Sequence, residues 1–329
     1  MQKKESISVV IPAYNVGKYI SDTVHSVLNQ NYKKECIEVI VVNDGSTDNT
    51  LEILQEFSQL NQVSIIDVKN GGVSKARNLG IQQASGDFIS FLDGDDTWHS
   101  DFLNEMVSFM NKNGLQSVSC LFNRIEDGII SYETKKIPEK KDLFKWYIGY
   151  QGMTINTNSW LINKEIISKN KLFFVEGSQF GEDTEFFTKV ILHSNKENWG
   201  VLEKRLTNYI IRKESLTNPN GRLELLQIEM YFNAFRRTLN YMNNFELTKE
   251  EKIAFKNRVY LSYLAYLSSN LVNGETADYN KLKSNFNKDQ QELNFNFILK
   301  MNSKEFLRLI IVKFDLIFLI FRKFKGILK

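Results

Sequence analysis

Three carboxylates crowd into four residues at Asp93-Gly94-Asp95-Asp96, directly after the apolar run Phe88-Ile89-Ser90-Phe91-Leu92. Like charges this close repel one another unless something positive sits between them. A hard divalent cation shared with a diphosphate is the usual answer, because such ions take oxygen ligands from carboxylates and phosphates together. The plainer alternative is a solvated turn that caps the following helix. A second acidic pair, Glu182-Asp183 after Gly181, stands at the start of another segment with helical spacing. Taken alone, a carboxylate there is an ordinary cap.

The elements around the first cluster argue for a shared site. Three further β-branched runs precede it, Ile7 to Ile11, Val39 to Val42 and Val63 to Ile66. Each is followed by apolar residues at helical spacing: Ile20, Val24, Val27 and Leu28; then Leu51, Leu54 and Phe57; then Val73, Ala76 and Gly80. Alternating strands and helices predict an α/β fold with a mostly parallel central sheet. Ligands of such sheets bind beyond the carboxyl ends of the strands. Polar loops fall at those ends: Pro12-Ala13-Tyr14-Asn15, Asn43-Asp44-Gly45-Ser46-Thr47-Asp48, Asn70 to Asn78, and the acidic cluster.

These segments, with Ala76-Arg77-Asn78-Leu79-Gly80, Gly86 through Asp96 and Gly181-Glu182-Asp183, resemble in order and spacing the family 2 glycosyltransferases of GT-A (Rossmann-like) fold. The resemblance covers roughly residues 5 to 217 and implies a nucleotide-sugar-binding catalytic domain over 1–217. On this reading Pro12, Ala13, Tyr14, Asn15, Asp44, Gly45, Gly72, Arg77, Asp93 and Gly94 line the donor site, and Arg77, on or near the first turn of a helix where a cation calls for an anionic partner, contacts either the donor or the Asp93 cluster. A carboxylate at Asp44 suits the imide N–H of uracil, which favours a UDP-sugar donor. The loop Asn70 to Gly72 opens a helix whose amides and positive end suit a diphosphate. The resemblance further implies that Asp93 contacts the donor ribose or sugar, that Asp95 ligates the metal, magnesium or manganese, and that Asp96 is a supporting or capping carboxylate. It makes Asp183 the catalytic base, with Glu182 as the alternative. One base and a stabilised leaving group suffice for inverting transfer.

One position departs from the family pattern. Many relatives carry His-x-x-Ser-x-Thr downstream of the base, and the matching segment here begins at Arg212: Arg212-Lys213-Glu214-Ser215-Leu216-Thr217. A guanidinium cannot ligate a metal, but it can grip phosphate oxygens with two donors. Metal dependence is weakened to that extent. His25, His99 and His193 have no zinc-ligand spacing, and Cys36 and Cys120 are too few for a disulfide framework. No N-terminal run resembles a signal peptide, so a cytoplasmic protein is expected. The motif Gln-x-x-Arg-Trp of processive synthases is missing, which points to one sugar per encounter.

Strand signals end near residue 218, and 218–329 reads as an α-helical C-terminal domain, with Leu225, Ile228, Tyr231 and Phe232 and later Tyr260, Leu264 and Leu267 at helical spacing. Its last segment, 305–329, is apolar but interrupted by Arg308, Lys313, Asp315 and Arg322, too often to span a bilayer. From residue 300 onward there are eight Lys or Arg against two Asp or Glu, in a chain whose net charge is +3. A basic amphipathic helix of this kind suits the anionic inner face of a membrane; packing on protein is the alternative. The modest overall charge argues against nucleic acid.

The sequence therefore predicts an inverting transferase that moves one sugar from a UDP-sugar to a hydroxyl of a glycan acceptor. Membrane contact suggests an acceptor on a polyprenyl diphosphate, as in cell-surface polysaccharide synthesis, with a cytosolic glycoprotein as the other option. Residues 118–162, including Trp146 and Trp160, are expected to shape the acceptor groove. A noncatalytic nucleotide-sugar-binding subunit and a sugar-phosphate nucleotidyltransferase are the rival functions, the latter disfavoured because Pro12-Ala13-Tyr14-Asn15 is not a Gly-rich loop with an Arg. Homo-oligomerisation is left open.

Overall fold

The computed structural model describes residues 5–132, 136–149, 155–178, 180–212 and 225–273. It divides into two compact units, residues 1–144 with 151–246, and residues 145–150 with 247–329. The first unit carries the sheet.

Strand β1 (Ile7–Ala13) is buried at every position, as a continuous apolar run must be when both faces of a sheet are covered. It pairs in parallel with β2 (Ile37–Asp44) on one side and β4 (Phe88–Phe91) on the other, and β2 pairs in parallel with β3 (Val63–Val68). The crossovers are helices α1 (Ile20–Leu28), α2 (Thr50–Gln55) and α3 (Val73–Gln83). All four strands therefore point the same way. Ala13 lies opposite Asn43, and Asp44 opposite Val68, so the polar segments after the strands gather at one edge.

The other half of the sheet is mixed. After β5 (Thr97–Trp98) and α4 (Phe102–Asn113) come β6 (Ser117–Glu126), β7 (Ile129–Ser131), β8 (Trp160–Asn163) and β9 (Trp199–Ile210). The strand order is β3-β2-β1-β4-β8-β6-β9-β5, with β7 paired to β6. Here β8 is antiparallel to β4 and β6, and β9 is parallel to β6. Helices α5 (Lys140–Ile148), α6 (Lys164–Asn170) and α7 (Glu182–His193) intervene.

An aromatic cluster packs beneath the acidic edge. Phe91 meets Phe174 and Phe186 edge-on at 5.3 and 5.7 Å, while Trp160 stacks on Phe187 at 4.4 Å. Such pairs add specific geometry to apolar burial. Trp160 is fully buried, and Trp146 is buried too, so neither lines the groove that the sequence suggested for them. Large rings lower the free energy more by leaving water than by waiting at a surface.

Helix α8 (Leu225–Met242) belongs to the first compact unit, which runs on to Glu246. The change from strand to helix in the sequence near residue 218 is thus not where the compact unit ends. The reason is local: Glu185 of α7 accepts from Arg237 of α8 at 3.0 Å, and Arg237 also reaches Ser178. In the second unit, α9 (Lys249–Asn273) starts with reciprocal bonds between Thr248 and Glu251, each backbone N–H donating to the other's side chain. The segment 305–329 lies outside the described residues.

Candidate functional site

Arg77 is the hub. It sits in α3, is 4 % exposed, and its two terminal nitrogens donate to different elements: Nη2 to Asp93 at the end of β4 (2.7 Å) and Nη1 to Glu182 at the start of α7 (3.1 Å). The Phe174 ring lies 5.1 Å from the guanidinium centre. Burial opposes its charge, but Asp93, Glu182 and Asp183 together hold Arg77 firmly protonated. Segments about a hundred residues apart in sequence are joined by one side chain.

The same helix reaches the next carboxylate. Gly72 caps α3, and the amides of Gly71 and Gly72 donate to the two oxygens of buried Asp44 at 2.7 and 2.8 Å. These two amides, expected to face a diphosphate, are turned to Asp44 because a buried carboxylate must find donors. Each Asp44 oxygen keeps a second acceptor position. Gly45 follows at φ +69°, and a Cβ there would come within 2.6 Å of the Asn70 amide, so the close approach of the two loops requires glycine.

Asn15 brings the β1 loop to the β2 loop. Its Oδ1 accepts the Thr47 amide at 2.8 Å, and its own amide donates to Ser46 Oγ at 3.0 Å. Pro12 accepts the Gly94 amide at 3.2 Å, and a Cβ on Gly94 would stand 2.9 Å from that same carbonyl oxygen. Ala13 is buried, and Tyr14 is exposed beside them. A shallow hollow of about 490 Å³, lined in part by Asn43, Ser46, Asp67 and Asn70, opens between the ends of β2 and β3. It adjoins Asp44 on the flank away from β4.

The three aspartates after β4 have separate partners. Asp96 is buried; its Oδ1 accepts the Ile210 amide (2.7 Å) and its Oδ2 the Asn158 side-chain amide (2.5 Å). Burial, then Asp95 and Asp93, push its pKa well up. Asn158 Oδ1 in turn accepts the Asp93 amide at 2.8 Å, and its carbonyl accepts Trp98 Nε1 at 2.9 Å. Asp95 pairs with Arg212, just beyond β9. Burial and Asp93 raise Asp95's pKa, and Arg212 pulls it down.

The acidic pair on α7 is divided in environment. Glu182 is buried against Arg77; burial and then Asp183 raise its pKa to about 7, against the pull of Arg77. Asp183 is half-buried, and among the described residues its carboxylate has one partner, the Thr184 amide at 2.6 Å. Gly181, at φ +77°, sets the entry to this helix.

Asn158 and the Ile210 amide were not anticipated from sequence. Asn158 lies before an ordinary apolar strand with no motif around it, and a backbone donor leaves no trace in residue type. Among the described residues no group of three or more His, Cys, Asp or Glu is poised around one point to hold a metal.

Fold and site together define a class, a GT-A-like α/β domain with C-terminal helices. The chain belongs to Glycosyl transferase family 2, whose profile matches residues 8–175. It is 28% identical over 236 residues to the uncharacterized glycosyltransferase EpsJ of Bacillus subtilis, covering 67% of this chain and 63% of EpsJ. It is 29% identical over 210 residues to the poly(ribitol-phosphate) beta-N-acetylglucosaminyltransferase TarS of Staphylococcus aureus, covering 63% of this chain and 36% of TarS. The matches thus span less than two thirds of either relative. Among solved structures, residues 1–349 of TarS in complex with UDP-GlcNAc superpose with a TM-score of 0.68 at 20% identity, over 86% of this chain and 81% of that one. The mannosyltransferase PcManGT of Pyrobaculum calidifontis, in complex with GDP-Man and Mn2+, gives 0.59 at 14% identity, over 99% and 88%. At such identities the likeness is one of fold.

Proposed function

We propose that this chain is an inverting, non-processive glycosyltransferase of hexosyltransferase type. It transfers one sugar from a UDP-sugar to a hydroxyl of a glycan acceptor in cell-surface polysaccharide or glycoconjugate synthesis. The observation that carries the reading is the Arg77 bridge, which draws the carboxyl end of β4 and the start of α7 together on the edge where α3 also meets Asp44. Family membership supports it, as do the printed activity of TarS and the UDP-GlcNAc in its complex.

Asp44, between the β2 and α3 loops, accepts from the uracil imide, and Pro12 to Asn15 close over the nucleoside. Asp93, fixed by Arg77 and by Asn158, orients the ribose or sugar. Asp95 fits a divalent ion: it offers one carboxylate, and magnesium commonly takes one or two protein carboxylates with phosphate and water oxygens. Bound there, magnesium or manganese would neutralise charge on the departing UDP. Arg212 supports the same diphosphate with its fork of donors.

Asp183 takes the proton from the acceptor hydroxyl as that oxygen attacks the anomeric carbon, and the bond to UDP breaks on the opposite face with its electron pair. Glu182 is the weaker candidate because its carboxylate is tied to Arg77. The acceptor is held on a polyprenyl diphosphate, and the basic segment 305–329 brings the enzyme to the inner face of the membrane. No helix among the described residues is long and apolar enough to cross one.

Purified protein incubated with manganese and a panel of UDP-sugars, with membrane extract as acceptor source, is expected to release UDP with at least one donor. No release with any of them contradicts the proposal.

A further inference from the structure

Among the described residues Asp95 has one side-chain partner, the guanidinium of Arg212. The pair is largely enclosed, with the side chains 20 % and 16 % exposed. Arg212 lies over the ring of Tyr19, its guanidinium centre 5.2 Å from the ring centroid, and its Nε is buried with no hydrogen-bond partner. The chain leading to it is anchored on the same acidic segment by the Ile210 amide, which donates to Asp96, and on β6 by the Ile211 amide, which donates to Ile125. A positive charge is therefore built into the place that a cation at Asp95 would take.

Two cations cannot share one carboxylate at close range without strong repulsion, least of all where water is scarce. A guanidinium is also forked, so a diphosphate offers it more acceptor oxygens than one carboxylate does. The flat ring of Tyr19 lets the guanidinium change partners while it stays stacked. We infer that Arg212 and a divalent cation are alternative occupants of Asp95: Arg212 holds the carboxylate while no nucleotide is present, and yields it to the ion when a diphosphate draws the guanidinium away. Metal and nucleotide then bind cooperatively, and Arg212 is the positioning residue that couples them. This rests on the donor-site reading above.

The test is titration of Mn2+ followed by the electron paramagnetic resonance of the free ion, on the full chain as wild type, Arg212→Gln and Arg212→Lys, with and without UDP. Without UDP, Arg212→Gln is expected to bind Mn2+ at least tenfold more tightly than wild type, and Arg212→Lys, which keeps the charge, no more than threefold. UDP is expected to tighten Mn2+ binding at least tenfold in wild type and distinctly less in Arg212→Gln. Equal Mn2+ affinity of wild type and Arg212→Gln without UDP overturns the inference. So does a wild type whose Mn2+ affinity UDP leaves unchanged, a result that needs no variant to fold. Calorimetric titration of UDP into wild type at saturating Mn2+ separates the two levels: absence of UDP binding defeats the donor-site reading itself, whereas UDP binding with an unaltered Arg212→Gln defeats only the coupling.

Discussion

Burial of Glu182, and then its neighbour Asp183, raise its pKa from an ordinary 4.5 to about 7 against the pull of Arg77. A carboxyl with a raised folded-state pKa stabilises the fold below its unfolded pKa and loses that contribution as pH rises through the folded one. Glu182→Gln keeps the shape and removes the titration. Its unfolding free energy relative to wild type should therefore rise between about pH 4.5 and about pH 7 and level off above, by on the order of 1–3 kcal/mol. Denaturant unfolding at a series of pH values reads this directly, and parallel pH curves for the two proteins contradict it. Asn158 makes a different claim at the same scale. Its side chain joins the Asp93 amide to the Asp96 carboxyl. Asn158→Ala leaves the half-buried Asp93 amide and the buried Asp96 carboxyl without that partner and should cost about 1–3 kcal/mol. It should also slow UDP release, with Asn158→Ala still binding UDP in calorimetry. Unchanged stability and rate remove Asn158 from the site.

At the scale of elements, the parallel half of the sheet was legible in sequence because its strands show as short runs rich in β-branched residues, fully buried in β1 and β4 and half-exposed only in the end strand β3. The run Ile7 to Ile11 and the strand Ile7–Ala13 agree to within two residues. The mixed half was hidden, since antiparallel insertion of Trp160–Asn163 between Phe88–Phe91 and Ser117–Glu126 is a matter of long-range pairing that local pattern does not carry. Trp160 is the sharpest case. A tryptophan at the start of a short strand reads equally as groove or core, and only the partners Phe187 and Trp199 decide it. Trp160→Ala should accordingly cost about 3–5 kcal/mol, measured by denaturant unfolding, as core deletions do. A loss under 1 kcal/mol places it at a surface after all. Between β2 and α3 the geometry depends on Gly45, and Gly45→Ala, strained in φ and crowded against Asn70, should cost about 1–3 kcal/mol by the same measurement and weaken UDP binding.

For the whole molecule, the acidic motifs at Asp93 to Asp96 and Glu182-Asp183 were readable because several carboxylates in few residues are costly without a reason. What the sequence withheld was how they are held together. The placement of Arg77 near a helix start pointed to the donor or the Asp93 cluster, and the pair with Asp93 is there, but neither the burial of Arg77 nor its second contact, to Glu182 about a hundred residues on, leaves a trace in the local sequence. The same holds for Arg212, whose place in the motif was visible but whose pairing with Asp95 was not.

The central claim is that this web of charges holds one carboxylate, Asp183, free to take a proton while its neighbour Glu182 is occupied by Arg77. The most direct measurement is the initial rate of UDP release by Asp183→Asn and Glu182→Gln at saturating donor, acceptor and Mn2+, with UDP affinity measured alongside. Asp183→Asn should lose at least a hundredfold in rate with UDP affinity within threefold of wild type, and Glu182→Gln should lose far less. Full activity in Asp183→Asn, with the large loss in Glu182→Gln instead, contradicts the assignment.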